Sequence, residues 1–216
     1  MQNTIIGRKA EIGLLEQYIA SGRAEFIAIY GRRRVGKTFL VRQYFQNRFS
    51  FDMTGIIEGK KTEQMSAFNH ALKQYGYKGK KATTWLDAFF ALRSLLEQNR
   101  ENERPCVLFI DEMPCLDTPK SGFVHALGHF WNSWAAWQPE MKLIVCGSAT
   151  SWMVRNIIDN HGGLHDRVTH EMALKPFTLG ETEEYFKTFD FPWSRLSVLH
   201  TYMTVGGVPY YLSLFN

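Results

Sequence analysis

Gly31-Arg32-Arg33-Arg34-Val35-Gly36-Lys37-Thr38 follows directly on the apolar run Phe26-Ile27-Ala28-Ile29-Tyr30 and leads into Phe39-Leu40, with Tyr44 one turn further on. The eight residues satisfy GxxxxGK[ST] at every specified position, a pattern that acquires chemical meaning where a strand feeds it and a helix leaves it. Both conditions are met. A short, continuous apolar run reads as a strand buried on both faces, and Phe39, Leu40 and Tyr44 supply the inner face of a helix. Glycines let the chain curl so that successive N–H groups converge on phosphate oxygens, while the helix starting near Lys37 adds the positive end of its dipole. In such a loop Lys37 reaches the terminal phosphates and the Thr38 hydroxyl ligates Mg2+. Gly31, Arg32, Arg33, Arg34, Val35, Gly36 and Phe39 then border the nucleotide. The three arginines can be solvated or can touch phosphate or a partner. They are read as solvated, because backbone amides do the cradling.

Outward from the loop, Ile12, Leu15 and Ile19 recur at helical spacing and predict a helix from about Lys9 to Ser21. Further helices are expected over Thr62 to Tyr75, Thr84 to Gln98 and Phe123 to Trp137. Cys106 to Ile110 and Leu143 to Cys146 are apolar strands, and Phe49 to Met53 and Val168 to Leu174 are two more. Strands alternating with helices predict an α/β fold, a parallel sheet between helical layers. In an open sheet of this kind ligands bind at the carboxyl ends of the strands. After Pro176 the pattern is helical only, with Leu179 to Thr188, Arg195 to Thr204 and a segment from Pro209, interrupted by Gly206-Gly207. A core over 1–176 and a small helical subdomain over 177–216 are expected.

The Cys106 strand ends in Asp111-Glu112. Asp111 is the Mg2+ candidate beside Thr38, and Glu112 is the candidate to polarise an attacking water. Paired carboxylates after a strand also serve as a helix N-terminal signal; the upstream phosphate loop favours the catalytic reading. Ser148, after the Leu143 strand, can put a hydroxyl beside the terminal phosphate, cap a helix from Ala149, or do both. His161, His165 and His170 share a glycine-containing segment with no regular helical face, which reads as a loop rather than a metal site. Trp131, Trp134 and Trp137 recur at i, i+3, i+6 and read as a core-facing stripe rather than a base-stacking platform.

Composition agrees with one ordinary globular domain carrying an appended subdomain: 216 residues, 45% hydrophobic and 21% charged. The net charge of +4 is mildly basic, weak support for nucleic acid. Cys106, Cys115 and Cys146 are too few and scattered for a disulfide framework or zinc site. No apolar run approaches the roughly 20 residues that span a bilayer, and no apolar signal core precedes Arg8-Lys9. A cytoplasmic address without membrane contact is expected.

Taken in order, Ile6-Gly7-Arg8-Lys9-Ala10-Glu11, the phosphate loop, Asp111-Glu112, Gly147-Ser148 with Met153, Gly163 to Arg167, Leu174 to Phe177 and Gly206-Gly207-Val208-Pro209-Tyr210 resemble the archaeal-type ATPases. These are AAA-like P-loop NTPases related to the signal-transduction STAND branch, and the resemblance covers almost the whole chain. It implies a sheet of the AAA/ASCE type in which one strand separates the phosphate-loop strand from the Asp-Glu strand. The helical segment becomes a lid over the nucleotide. By the same resemblance Ile6, Gly7 and Arg8 lie near the adenine, Ser148 is the first sensor, and Pro209 closes over the base. Arg167 senses the terminal phosphate, within the subunit or across to a neighbour. Family members commonly carry Leu-Tyr-Gly-Arg where this chain has Leu164-His165-Asp166-Arg167, so an acidic side chain stands beside that arginine.

The function expected from these residues is an ATPase that uses Mg-ATP binding and hydrolysis, through Lys37, Thr38, Asp111, Glu112 and Ser148, as a conformational switch between ATP and ADP states. A nucleotide-gated module for DNA or a protein partner, with little hydrolysis, is the alternative from another class. A small-molecule kinase is a third, opposed by a Glu112 placed to activate water. The apolar pattern through Leu212 to Asn216 carries no stop signal, so the chain is expected to continue. The resemblance implies a winged-helix-like module and a further domain beyond, where partners bind, and a nucleotide-dependent oligomer.

Overall fold

The computed structural model describes residues 4–99 and 105–215, so the outermost positions of the two expected segments, Met1 and Asn216, lie outside it. Five strands form one parallel sheet: β1 (Glu25–Tyr30), β2 (Phe51–Thr54), β3 (Cys106–Asp111), β4 (Met141–Gly147) and β5 (His170–Ala173). Their spatial order is β2-β3-β4-β1-β5. Strand β4 therefore stands between the phosphate-loop strand and the Asp-Glu strand, as the resemblance implies.

Both faces of the sheet are covered, which is why its strands read as unbroken apolar runs rather than alternating ones. Phe26, Ala28, Leu108, Ile110, Leu143 and Val145 point into one core, shared with helices α3 (Lys61–Gln74), α4 (Trp85–Gln98) and α5 (Phe123–Ser133). Ile27, Ile29, Val107, Phe109, Ile144 and Cys146 point the other way, against Leu15 of α1 (Lys9–Ala20) and Leu40 and Val41 of α2 (Lys37–Tyr44). At roughly 1.5–3 kcal/mol for each fully buried large apolar side chain, these two layers are the main stabilising term of the fold.

A short helix α6 (Thr150–Met153) follows β4 and continues as a π turn over Val154–Ile158. Helices α7 (Leu179–Thr188), α8 (Arg195–Val205) and α9 (Pro209–Leu212) share a third cluster of Phe177, Tyr185, Phe186, Val198 and Leu212. Ile6, from before α1, packs into that same cluster. No described helix is long and apolar enough to cross a membrane.

Three local expectations need correction. The aromatic helix ends at Ser133, not Trp137: Trp134 leaves helical geometry at φ −148, ψ −57, and Ala135–Trp137 is a separate 3-10 turn. The tryptophan stripe therefore breaks, with Trp131 and Trp134 buried and Trp137 77% exposed. Of the three histidines read as a loop, His170 instead opens strand β5. His161 and His165 sit in a turn, while His170 stacks on Tyr18 and faces Glu25. Among the described residues no group of three or more His, Cys, Asp or Glu is placed to hold a metal ion.

Candidate functional site

All strands run the same way, so Gly31, Glu112, Ser148 and Leu174, the residues just past the ends of β1, β3, β4 and β5, gather at one edge. The loop from Gly31 curls over that edge into α2. Gly31 has φ +147, and a Cβ there would lie 2.3 Å from the Leu174 carbonyl oxygen. The Leu174 N–H in turn donates to the Tyr30 carbonyl at 2.7 Å. Gly36, at φ +93, immediately precedes α2.

Lys37 is 6% exposed, and its Nζ donates to the Gly31 and Arg32 carbonyls at 2.9 and 3.1 Å. Burial pushes this ammonium below the usual lysine range, against the opposing pull of nearby Glu112 and Asp111. The Thr38 hydroxyl donates to Asp111 Oδ2 at 2.7 Å, while Asp111 Oδ1 accepts the Glu112 N–H at 2.9 Å. Asp111 is 3% exposed, and burial raises its carboxyl above the usual aspartate range although both hydrogen bonds pull the other way. A buried carboxylate touching a hydroxyl is a pair of hard oxygen donors of the kind Mg2+ takes from proteins, which supply few ligands and leave the rest to water and phosphate. The residues fit that ion.

Glu112 adopts φ 43, ψ 43, sparsely populated for a residue with a Cβ. Its Oε2 accepts a hydrogen bond from Ser148 Oγ at 3.0 Å. Ser148 does not cap the following helix: it lies one residue before the cap position, which Ala149 fills without a side-chain bond, and its hydroxyl donates to Glu112 instead. The three loop arginines are exposed, in keeping with the solvated reading, and two of them also make contacts at the surface. Arg33 Nε donates to Ser148 Oγ at 3.4 Å. The Arg34 guanidinium lies 4.4 Å over the Tyr210 ring and donates to the Tyr211 hydroxyl at 3.2 Å. Of these three, Arg32 has no side-chain partner among the described residues.

Residues 5–215 match the family described as an ATPase domain predominantly from Archaea. The chain belongs to that family. A protein of Methanocaldococcus jannaschii is 27% identical over 212 residues, which is 96% of this chain and 43% of the relative. The fold is shared with the Walker-type ATPase of Pyrococcus abyssi, at TM-score 0.67 and 18% identity over 96% of this chain and 65% of that one. It is also shared with a Signal Transduction ATPase with Numerous Domains (STAND) protein bearing a tetratricopeptide repeat sensor, from Pyrococcus horikoshii, at TM-score 0.59 and 21% identity over 97% and 29% of the two chains. The chain thus spans less than two thirds of the length of each.

In this archaeal-type ATPase domain the remaining predicted residues divide. Phe39 is 46% exposed beside the loop. Arg8 is 5% exposed and donates to the Val35 carbonyl at 3.0 Å, its guanidinium 4.7 Å over the Phe177 ring. Ile6 and Gly7 lie at the same joint, Ile6 in the C-terminal cluster and Gly7 against the Glu181 side chain. Pro209 opens α9, whose Tyr210 N–H approaches the Arg34 carbonyl at 3.5 Å. Arg167 stands apart, exposed in the turn after Leu164, with no side-chain partner among the described residues. Asp166 pairs with His165 at 3.0 Å instead of with Arg167.

Sequence reading missed Glu181, whose Oε1 accepts the Arg8 N–H at 2.9 Å and whose Oε2 accepts the Thr178 N–H at 2.8 Å. The signal was available, since Thr178-Leu179-Gly180-Glu181 is a capping box. It also missed Tyr210 and Tyr211 as partners of Arg34, for which no local pattern exists.

Proposed function

We propose that this domain binds Mg-ATP and hydrolyses it, and that the helical unit from residue 177 onward acts as a lid that reads the nucleotide state. The observation that carries the proposal is the pair of hydrogen-bonded carboxylates beside the loop: Asp111 on Thr38 at 2.7 Å and Glu112 on Ser148 at 3.0 Å. Thr38 and Asp111 hold Mg2+, which neutralises charge on the phosphate oxygens when bound. The loop amides and Lys37 hold the phosphates. Glu112, fixed by Ser148, orients a water and takes its proton.

The lid assignment is supported by contacts that run between the phosphate loop and the helical unit: Arg34 with Tyr210 and Tyr211, and Arg8 with Val35 on one side and Phe177 and Glu181 on the other. Through such contacts a local change at the loop would be passed to the unit. Phosphate release from ATP by the purified domain tests the proposal directly. Glu112→Gln is expected to bind ATP normally and to turn it over at least about 100-fold more slowly, the scale of a lost general base. Unchanged turnover in that variant removes Glu112 from the mechanism.

A further inference from the structure

Hydrolysis of a phosphoanhydride spreads negative charge over the three equatorial oxygens of the transferring group, and enzymes of this class place an arginine there, from the same chain or from a partner. Five described arginines come into question, and four of them make no contact with Ser148 or Glu112. Arg32, in the loop, is exposed with no side-chain partner among the described residues. Arg8 is buried against Val35, Glu11 and Phe177. Arg34 is held by Tyr210 and Tyr211. Arg167 sits in an exposed turn with no described partner. Arg33 differs from all of these: its Nε lies 3.4 Å from Ser148 Oγ, and that hydroxyl lies 3.0 Å from Glu112 Oε2.

The strand order explains why this contact arises. Ser148 ends the strand that stands between the loop strand and the Asp-Glu strand. A side chain reaching from the loop to Ser148 therefore crosses the space between the loop and Glu112. Using Nε on the serine leaves both Nη groups of the planar fork for phosphate oxygens, a geometry lysine cannot copy.

We propose that Arg33, from within the phosphate loop, is a catalytic residue that donates to the terminal phosphoryl group in the transition state, in the same subunit as Lys37 and Glu112. The inference rests on the hydrolytic reading above. In the step it serves, the water oxygen forms a bond to the terminal phosphorus and the bond from that phosphorus to the bridging oxygen breaks. The bridging oxygen leaves with its electron pair on ADP, and the water proton passes to Glu112. Arg33 changes no bond; its N–H groups meet the equatorial charge as it develops.

The test compares wild type, Arg33→Ala and Arg33→Lys for turnover, for ATP and ADP affinity, and for formation of the ADP–aluminium fluoride complex that mimics the transferring group. Arg33→Ala is expected to lose about 100-fold or more in kcat, the cost of removing a preorganised donor. Its ATP and ADP affinities should stay within about threefold of wild type while the aluminium fluoride complex is lost. Arg33→Lys should recover only a minor part. Equal losses of ATP, ADP and fluoride-complex affinity would mean that Arg33 merely shapes the loop, and would overturn the proposal. So would an unimpaired fluoride complex, or a larger loss of it in Arg167→Ala than in Arg33→Ala. A wild type that binds ATP without turnover defeats the hydrolytic reading instead, and the fluoride complex then still decides Arg33.

Discussion

The Thr38 hydroxyl donates to Asp111 at 2.7 Å, joining the last residue of the phosphate-loop motif to the last residue of the carboxylate strand β3, one strand removed from β1. Asp111 is 3% exposed, and burial raises its pKa. A carboxyl whose folded pKa is raised favours folding when protonated, so its contribution is fully present at low pH and is lost as pH rises through the folded value. At neutral pH the ionised group therefore costs stability until a cation offsets it. Asp111→Asn, which keeps an acceptor for Thr38, is expected to melt about 2–4 °C higher than wild type at pH 7 without nucleotide, the shift that about 1 kcal/mol produces in a chain of this size. The advantage should shrink on acidification, and Mg2+ should no longer strengthen ATP binding. Calorimetry across pH, with and without Mg-ATP, checks both; a lower melting temperature at pH 7 would contradict the argument.

The two motif glycines should fail for different reasons. A Cβ at Gly31 would lie 2.3 Å from the Leu174 carbonyl, so the residue after β1 is constrained by the continuation of β5 and not by phosphate alone. At Gly36 a Cβ meets nothing within 4 Å, and the φ of +93 is the sole obstacle. Gly31→Ala is expected to cost roughly 3 kcal/mol or more, visible as lost solubility or a collapsed melting curve without nucleotide. Gly36→Ala should cost about 1 kcal/mol of stability, the left-handed penalty, while weakening nucleotide binding more severely. Similar melting temperatures for the two variants would refute this division.

Much of this site was legible in the sequence because its parts are local. Each strand is a single apolar run, and each candidate group is the residue that ends such a run: Gly31 after Tyr30, Asp111 after Ile110, Ser148 after Gly147. Parallel pairing then brings the ends together without further information. What was not legible depends on contacts across the chain. Arg34 meets Tyr211 at a separation of 177 residues, and Arg8 meets Glu181 at 173. A cation over an aromatic ring leaves no periodic trace, so which residue the exposed Arg34 meets could not be read. The Trp137 error is of another kind, since helical spacing holds only while the helix lasts and Trp134 ends it.

Arg34 is positioned to couple the loop to the helical unit. Its guanidinium lies 4.4 Å over Tyr210 and 5.5 Å over Tyr211, with one hydrogen bond of 3.2 Å to the Tyr211 hydroxyl. Exposed cation–π contacts are worth about 0.5–1 kcal/mol each, enough to bias a movable unit without locking it. Arg34→Ala is expected to speed proteolysis between β5 and α7 severalfold in the absence of nucleotide, with a smaller effect for Tyr211→Phe, which loses the hydrogen bond and keeps the ring. Timed digestion measures this. Equal cleavage rates in wild type and Arg34→Ala would sever the link between loop and unit.

Glu181 makes the other half of that joint pH-sensitive. Burial alone would raise its carboxyl, but the N–H groups of Arg8 and Thr178 and the Thr178 hydroxyl outweigh burial and hold it below the usual glutamate range. A lowered folded pKa gives stability that is present above the unfolded value of about 4.3 and is lost as pH falls through the folded one. The helical unit should therefore loosen from the sheet core only in acid, below about pH 4, exposing Phe177 and Arg8. Trp193, packed against Phe186 at 4.4 Å between ring centres in the same cluster, reports the change by its fluorescence. Glu181→Gln cannot supply the charge that Arg8 and the α7 N-terminus attract, so its joint should be weaker at pH 7 and nearly indifferent to acid. A variant that keeps the wild-type acid transition would assign that transition to another carboxylate.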